Sequence, residues 1–281
     1  MASNFLFKFG SIEYDLAARP YIMGVLNVTP DSFSDGGMYF SPETAFRHAA
    51  AMIEQGADFI DIGGESTRPG AETVTIEEET RRTIPVIEAL AREFPHVPIS
   101  IDTYKSQIAA QALDAGATIV NDISGGQFDP EMFALCGKRN ASMVLMHIQG
   151  TPKTMQQNPH YEDVVKEIKD FLRAQSEQAK RAGVKQIILD VGIGFGKTLE
   201  HNLELLCRLL EFEELGHPLL IGVSRKSFIG KILNGAPVEQ RLFGTAAATA
   251  IAIANGARIV RAHDVKEMRE VAAVAFAITR G

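Results

Sequence analysis

At 281 residues, 46 percent hydrophobic and 22 percent charged, the chain has enough apolar material for one sizeable core, which excludes the disordered class. A formal net charge of −7 and a pI near 5.6 exclude a general nucleic-acid or anionic-membrane surface, so any bound anion must meet a local basic cluster. The length suits a barrel of alternating strands and helices, which routinely reaches this size as one domain, and residues 1–281 are read that way.

The opening stretch "MASNFLFKFGSIEYDL" has no basic region ahead of a long apolar one, and no apolar run reaches the roughly 18 residues of a membrane span. Neither a signal peptide nor a span is expected, and residues 1–19 read as a small hairpin extension under the barrel floor. Cys136 and Cys207 sit in apolar helical patterns with no CxxC and no metal-ligand spacing, so both are expected to be buried thiols. The chain reads as a reducing, cytoplasmic protein.

Beyond the extension, eight short apolar runs recur: "YIMGVLN", "ADFIDIGG", "PISIDT", "ATIVNDI", "SMVLMH", "QIILDVG", "PLLIGVS" and "ARIVRA". Each is continuous rather than alternating, as strands buried on both faces should be. Between them lie helical patterns, among them Ser41 to Gln55, Ile76 to Phe94, Ser106 to Ala115, Tyr161 to Ala182 and Leu199 to Leu215. The first shows its start plainly: Ser41 as N-cap, Pro42 at the first helical position and Glu43 in the first turn. Gly56, Gly116, Gly183 and Gly256 each stand where a helix should stop in a left-handed turn before a buried strand and a polar end. Eight such units predict a closed (β/α)8 barrel of the α/β class, whose catalytic groups gather where strands end.

Collected strand by strand, those ends are Asn27, Asp61, Asp102, Asn121 with Asp122, His147, Asp190, Ser224 with Arg225 and Lys226, then Arg261 with His263 and Asp264. Asp102, Asn121, Asp190 and Lys226 supply acceptors and donors suited to a flat heterocycle with amide-like edges. Arg261 and His263 suit a phosphate or pyrophosphate. Asn27 offers a neutral oxygen that could share a Mg²⁺ with substrate phosphates.

Two glycine-rich stretches follow strands. "GIGFGKT", Gly192 to Thr198, has three residues between glycines where Walker A needs four, with Val191 where the first glycine should fall, and Lys197 breaks GxGxxG. It is no nucleotide loop. "GGESTRPGAET" reads as a mobile polar lid. His48, His96, His160, His201 and His217 have no spaced partners and read as surface or capping residues; His147 at a strand end is left open. "IEEETRR" from Ile76 reads as a solvated helix face.

"MGVLNVTPDSFSDGG", "DIGGESTRPGA", "IDTYK", "VNDISGG", "MHIQGTPKTMQ", "GFGK", "SRKS" and "RAHDV" together resemble the motif series of the dihydropteroate synthase family, in order, from Tyr21 to Val265. The resemblance implies a pterin-binding barrel that joins 6-hydroxymethyl-7,8-dihydropterin pyrophosphate to 4-aminobenzoate, with Mg²⁺, as a homodimer. It places the pterin on Asp102, Asn121, Asp190 and Lys226, and the pyrophosphate on Arg261, His263 and Asn27, the last holding the metal. Thr67, Arg68, Pro69, Phe195, Lys226 and Ser227 would take the aminobenzoate, while Asp31, Phe33 and Asp35 of the first loop would close over the reacting centre. The resemblance thus makes Asp102, Asp190, Lys226, Arg261 and Asp35 the catalytic set. Val191 and Ile193 depart from the family's proline and aromatic, which leaves the contacts of that stretch less defined. The rivals are a folate-dependent corrinoid methyltransferase, which has no use for a pyrophosphate clamp, and a pterin-binding barrel without turnover.

Overall fold

The computed structural model describes residues 5–29, 41–68 and 70–280. The chain begins with an antiparallel hairpin, β1 (Leu6–Phe9) and β2 (Ile12–Asp15). There follow β3 (Tyr21–Asn27), α1 (Pro42–Glu54), β4 (Phe59–Gly63), α2 (Ile76–Glu93), β5 (Ile99–Asp102), α3 (Ser106–Asp114), β6 (Ile119–Asp122) and α4 (Met132–Arg139). The second half runs β7 (Ser142–Met146), α5 (Val164–Arg181), β8 (Ile187–Asp190), α6 (Leu199–Cys207), β9 (Leu219–Ile221), α7 (Ser227–Ile232), α8 (Leu242–Ala254), β10 (Ala257–Ala262) and α9 (Val265–Arg280). Among the described residues, β3 to β10 form a closed barrel of eight parallel strands, with β10 paired to β3 at the seam. The expected fold is the one observed.

Local chemistry sets the boundaries. Ser41 caps α1 by accepting from the Thr44 N–H, as its spacing predicts. Gly56, Gly116, Gly183 and Gly256 have φ of +97°, +112°, +95° and +99°, conformations that a side chain would strain. Two helices depart from their expected spans. The pattern from Tyr161 starts as helix only at Val164, because Asp163 caps it while the Tyr161 hydroxyl donates instead to the Gly196 carbonyl at 2.8 Å. The pattern from Leu199 splits into α6 and a 3₁₀ stretch, Leu209–Leu215, where Asn255 Nδ2 donates to the carbonyls of Leu206 and Cys207 at the end of α6. Cys136 is buried as expected; Cys207, the last residue of α6, is exposed.

Two apolar layers hold the barrel. The outer faces of the strands pack against the helices, for example Ile22, Ile60 and Ile101 with Ala49, Met52, Ile87 and Ile108. Inside the barrel, Tyr21, Met23, Phe59, Ile119, Val144, Ile188, Leu220 and Ile259 close the floor together with Phe7, Phe9 and Leu16 of the extension. The hairpin does lie under the barrel. Because side chains on a strand alternate between faces, each floor residue fixes what lies inward two positions further on: Phe59 leads to Asp61, Ile119 to Asn121, Ile188 to Asp190 and Ile259 to Arg261. The apolar floor and the polar rim are therefore consecutive layers of one interior. No helix among the described residues is long and apolar enough to cross a membrane.

Phe9 is almost wholly buried and meets Phe59 edge-on at 5.2 Å. Phe9→Ala should cost about 3–5 kcal/mol, read as a lower urea midpoint; a midpoint equal to that of the unaltered chain would show that the hairpin does not support the barrel.

Candidate active site

The polar rim is organised around Arg261 on β10. Its Nε donates to Asp61 Oδ2 on β4 at 2.6 Å, and its Nη2 donates to Asp102 Oδ2 on β5 at 2.7 Å. Asn121 on β6 donates to the same Asp61 oxygen at 3.0 Å. One guanidinium, two carboxylates and an amide from four strands thus form a connected network. Asp61 is fully buried, and its other oxygen has no hydrogen-bond partner among the described residues. Burial pushes the Asp102 carboxyl well up; the Arg261 charge opposes this and the Asp61 charge adds to it.

Across the mouth, Asp190 ends β8 and accepts the Gly192 N–H at 2.8 Å. Burial raises its pKa, against the charge of Lys226. Lys226 Nζ donates to the Ile193 carbonyl and stands 4.6 Å over the Phe195 ring. Burial lowers its pKa to about 8, while Asp190 and Asp102 support its charge and Arg261 opposes it. The rim therefore holds opposing charges that water screens only in part, where binding a charged ligand can change protonation.

The β8 loop fixes Phe195. Gly192 has φ +70°, and a Cβ there would land on the His147 carbonyl oxygen, so this turn requires glycine. Val191 and Ile193, the departures from the family pattern, are both fully buried in the outer core, so apolar packing fills their places. Beneath the loop lies buried Lys197. Its Nζ donates to the Phe195 carbonyl at 2.9 Å and the His147 carbonyl at 3.3 Å, and stands 3.1 Å from His147 Nδ1. Burial takes its pKa well below the usual lysine range. His147 thus acquires a partner that the sequence does not indicate. Ile123, Met146, Ile148 and Met155 add an apolar cluster against which Tyr104, Phe128 and Phe195 pack.

His263 follows β10, its Nδ1 3.0 Å from Ser224 Oγ. Burial, with the charges of Arg261 and Arg225, holds its pKa down to about 4, so the imidazole is neutral near pH 7. Arg225 is committed to Asp264, with contacts at 3.0 and 2.5 Å. Asn27, half-buried, ends β3. Among the described residues no group of three or more His, Cys, Asp or Glu could hold a metal ion. A single neutral oxygen at Asn27 fits an ion that keeps most of its waters and relies on substrate oxygens.

The second polar loop leaves β4 with Thr67 half-buried and Arg68 exposed. Its base is tied by Glu65, which accepts from Tyr104 and Lys105, each at 2.6 Å. Lys105 also donates to Glu79 at 2.6 Å, and Glu79 is 1 percent exposed. The run "IEEETRR" is therefore not wholly solvated: Glu79 turns inward because Lys105 waits there. Ser227 is the first residue of α7, and Lys226 precedes it. Asp31, Phe33, Asp35 and Pro69 lie outside the described residues. His201 caps α6 with Thr198, as a capping role predicts.

Asp102, Asn121, Asp190, Lys226, Arg261 and His263 therefore gather at one rim, with Phe195 and Ser227 beside them. Asp61 is the main addition, since a carboxylate at a strand end shows its importance only when Arg261 is seen beside it. A cavity of about 430 Å³ lies at the hairpin end, lined by Lys8, Arg139 and Lys185 among others, and shares none of these residues.

A family model described as pterin binding enzyme matches residues 23–263. A dihydropteroate synthase of Synechocystis sp. is 52% identical over 273 residues, covering 96% of this chain and 94% of that one. Among solved structures, the Yersinia pestis dihydropteroate synthase with a sulfonamide drug complex superposes with a TM-score of 0.93 at 44% identity, covering 98% of this chain and 100% of that one. The Xanthomonas albilineans dihydropteroate synthase with 4-aminobenzoic acid does so with a TM-score of 0.92 at 40% identity, covering 99% of each chain.

Removing the Asp61 carboxylate leaves Arg261 one buried partner. Asp61→Ala should cost about 3 kcal/mol in equilibrium denaturation, and Asp61→Asn, which can still accept from Arg261, should cost less. Equal stability of all three chains would show that the network carries no weight in the fold.

Proposed function

The chain belongs to the pterin-binding enzyme family and, within it, to the dihydropteroate synthases, and on that premise we propose how its own residues carry the reaction. It is a transferase that condenses 6-hydroxymethyl-7,8-dihydropterin pyrophosphate with 4-aminobenzoate, releasing pyrophosphate and 7,8-dihydropteroate. The observation that carries the assignment of roles is the convergence on one rim of a heterocycle-reading set and a cation suited to an oxyanion.

The pterin takes its place on Asp102, Asn121, Asp190 and Lys226. Its amide-like edge matches carboxylates that accept and an ammonium that donates. Arg261 and His263 take the pyrophosphate. With Nε and Nη2 engaged by Asp61 and Asp102, the guanidinium is held in place while its remaining N–H groups can reach an oxyanion. Asn27 would hold Mg²⁺ together with the substrate phosphates, and the ion would supply positive charge to the departing group. Thr67, Arg68, Phe195, Lys226 and Ser227, with Pro69, form the aminobenzoate site, Phe195 giving the ring a face on which to pack.

The substitution is dissociative. The methylene C–O bond breaks and its electron pair leaves with pyrophosphate, offset by Arg261. The remaining cation delocalises into the pterin, where the carboxylates of Asp102 and Asp190, and Asp35 from the first loop, favour it. The neutral arylamine then forms the C–N bond and sheds a proton. Alignment and electrostatics suffice, so no side chain acts as a nucleophile. Pterin pyrophosphate binds first, since its position creates the surface that the amine meets. The sequence keeps both polar loops and the basic residues Arg261 and His263, which favours turnover over a barrel that only binds pterin.

The chain acts as one domain over 1–281 in the cytoplasm, as a homodimer. Exposed Phe243, Ile251, Val274 and Ile278, carried by the packed pair α8 and α9, support pairing through that side.

Arg261→Lys keeps a cation beside Asp61 and Asp102 but loses the forked donor set. Its dissociation constant for pyrophosphate should rise about tenfold in calorimetric titration; an unchanged constant removes Arg261 from the clamp. Lys226, with its pKa lowered to about 8, is charged below that pH and neutral above it. kcat/KM for the pterin substrate should therefore fall as pH rises through about 8, whereas a flat profile to pH about 9.5 would show that the Lys226 charge plays no part.

A further inference from the structure

We infer that Lys105, with Glu65, Glu79 and Tyr104, is a positioning cluster that fixes the second polar loop in the shape that takes aminobenzoate, without touching either substrate. The inference rests on the reading that Thr67 and Arg68 of this loop serve the aminobenzoate site.

The loop runs from the end of β4 to the start of α2, and the cluster ties both of its ends to one point. At its start, the Gly64 carbonyl accepts from Arg82 at 2.8 Å, and the Gly64 backbone lies so close to α2 that a Cβ there would meet Thr83 Cγ2 at 2.8 Å and Glu79 Cγ at 3.0 Å. Glu65 comes next. One of its oxygens accepts the Tyr104 hydroxyl, and the other accepts both Lys105 Nζ and, from the far end of the loop, the Val74 N–H at 2.9 Å. Lys105 Nζ donates in turn to the Val74 carbonyl at 2.7 Å and to Glu79 on the first turn of α2. Glu65 and Val74 are thus held at one point, and Thr67 and Arg68 fall between them in the chain.

The cluster is poorly explained as a device for stability alone. Buried ion pairs give back in attraction little more than they lose in desolvation, and apolar replacements often serve a fold as well; their best attested use is to select one arrangement among several. Here Glu79 is almost wholly buried and its second oxygen has no hydrogen-bond partner among the described residues, a cost that packing alone would avoid. Lys105 also stands three residues beyond Asp102 on the same strand end. The strand that presents a carboxylate to the pterin therefore also sets the loop assigned to the second substrate, and the two sites share one support.

The test is steady-state kinetics with both substrates on full-length Lys105→Met, Tyr104→Phe and Thr67→Ala. Lys105→Met should raise KM for 4-aminobenzoate about tenfold while KM for the pterin pyrophosphate moves less than about twofold, because misplacing a binding loop affects the substrate it contacts. Tyr104→Phe, which keeps every charge and removes one hydroxyl, should shift the same constant about threefold and decides the matter if Lys105→Met does not fold. Folded variants that leave KM for aminobenzoate unchanged, or raise both constants equally, overturn the positioning role. Thr67→Ala separates the two levels: if it raises the aminobenzoate KM while the cluster variants do not, the loop reading stands and this inference fails; if it has no effect, the loop reading fails and takes the inference with it.

Discussion

The contact between Arg261 and the carboxylates of Asp61 and Asp102 is the interaction on which the rest of the site depends. It joins the last strand of the barrel to the second and third across the seam that β3 and β10 close. The closed parallel sheet brings residues this far apart in sequence to the same rim, since every strand delivers its C-terminal end to the same side and the β3–β10 pairing joins the last strand to the first. The hydrophobic floor sets the height of that rim. Phe59 and Ile259, two residues before Asp61 and Arg261, are packed under the rim with the hairpin, so movement of the floor would carry the network with it.

Charge balance follows from the same geometry. Two cations and three carboxylates lie in a mouth from which water is largely excluded, and each is moved from its ordinary pKa by burial or held by a partner. On the proposed roles, an anionic leaving group near Arg261 and a cation developing near Asp102 and Asp190 would both meet groups that existing hydrogen bonds already orient. Little reorganisation is then needed during reaction, which is where electrostatic catalysis gains most. Lys197 acts on a different level, with its amine buried beneath the β8 loop so that Phe195 keeps its place.

The strand ends were legible because their periodicity is short and strict: a continuous apolar run followed by a polar residue marks both a buried strand and its functional end. Asp102, Asn121, Asp190, Lys226 and Arg261 could be named from that rule and from the motif series. What stayed hidden depended on partners remote in sequence. Asp61 is visible as a strand end, but its partner Arg261 is 200 residues away. Glu79 sits in a charged run that looks solvated, and only Lys105, arriving from the next strand, draws it inward. Cys207 reads as a core thiol from its apolar neighbours, yet the helix ends there and leaves it exposed.

A crystal structure of the chain soaked with pterin pyrophosphate measures the central claim most directly. The account predicts the ring edge within hydrogen-bond distance of Asp102, Asn121, Asp190 and Lys226, and diphosphate oxygens within reach of Arg261 and His263, with Asp61 still holding the guanidinium. A pterin seated away from that rim, or a diphosphate turned away from Arg261, would contradict it.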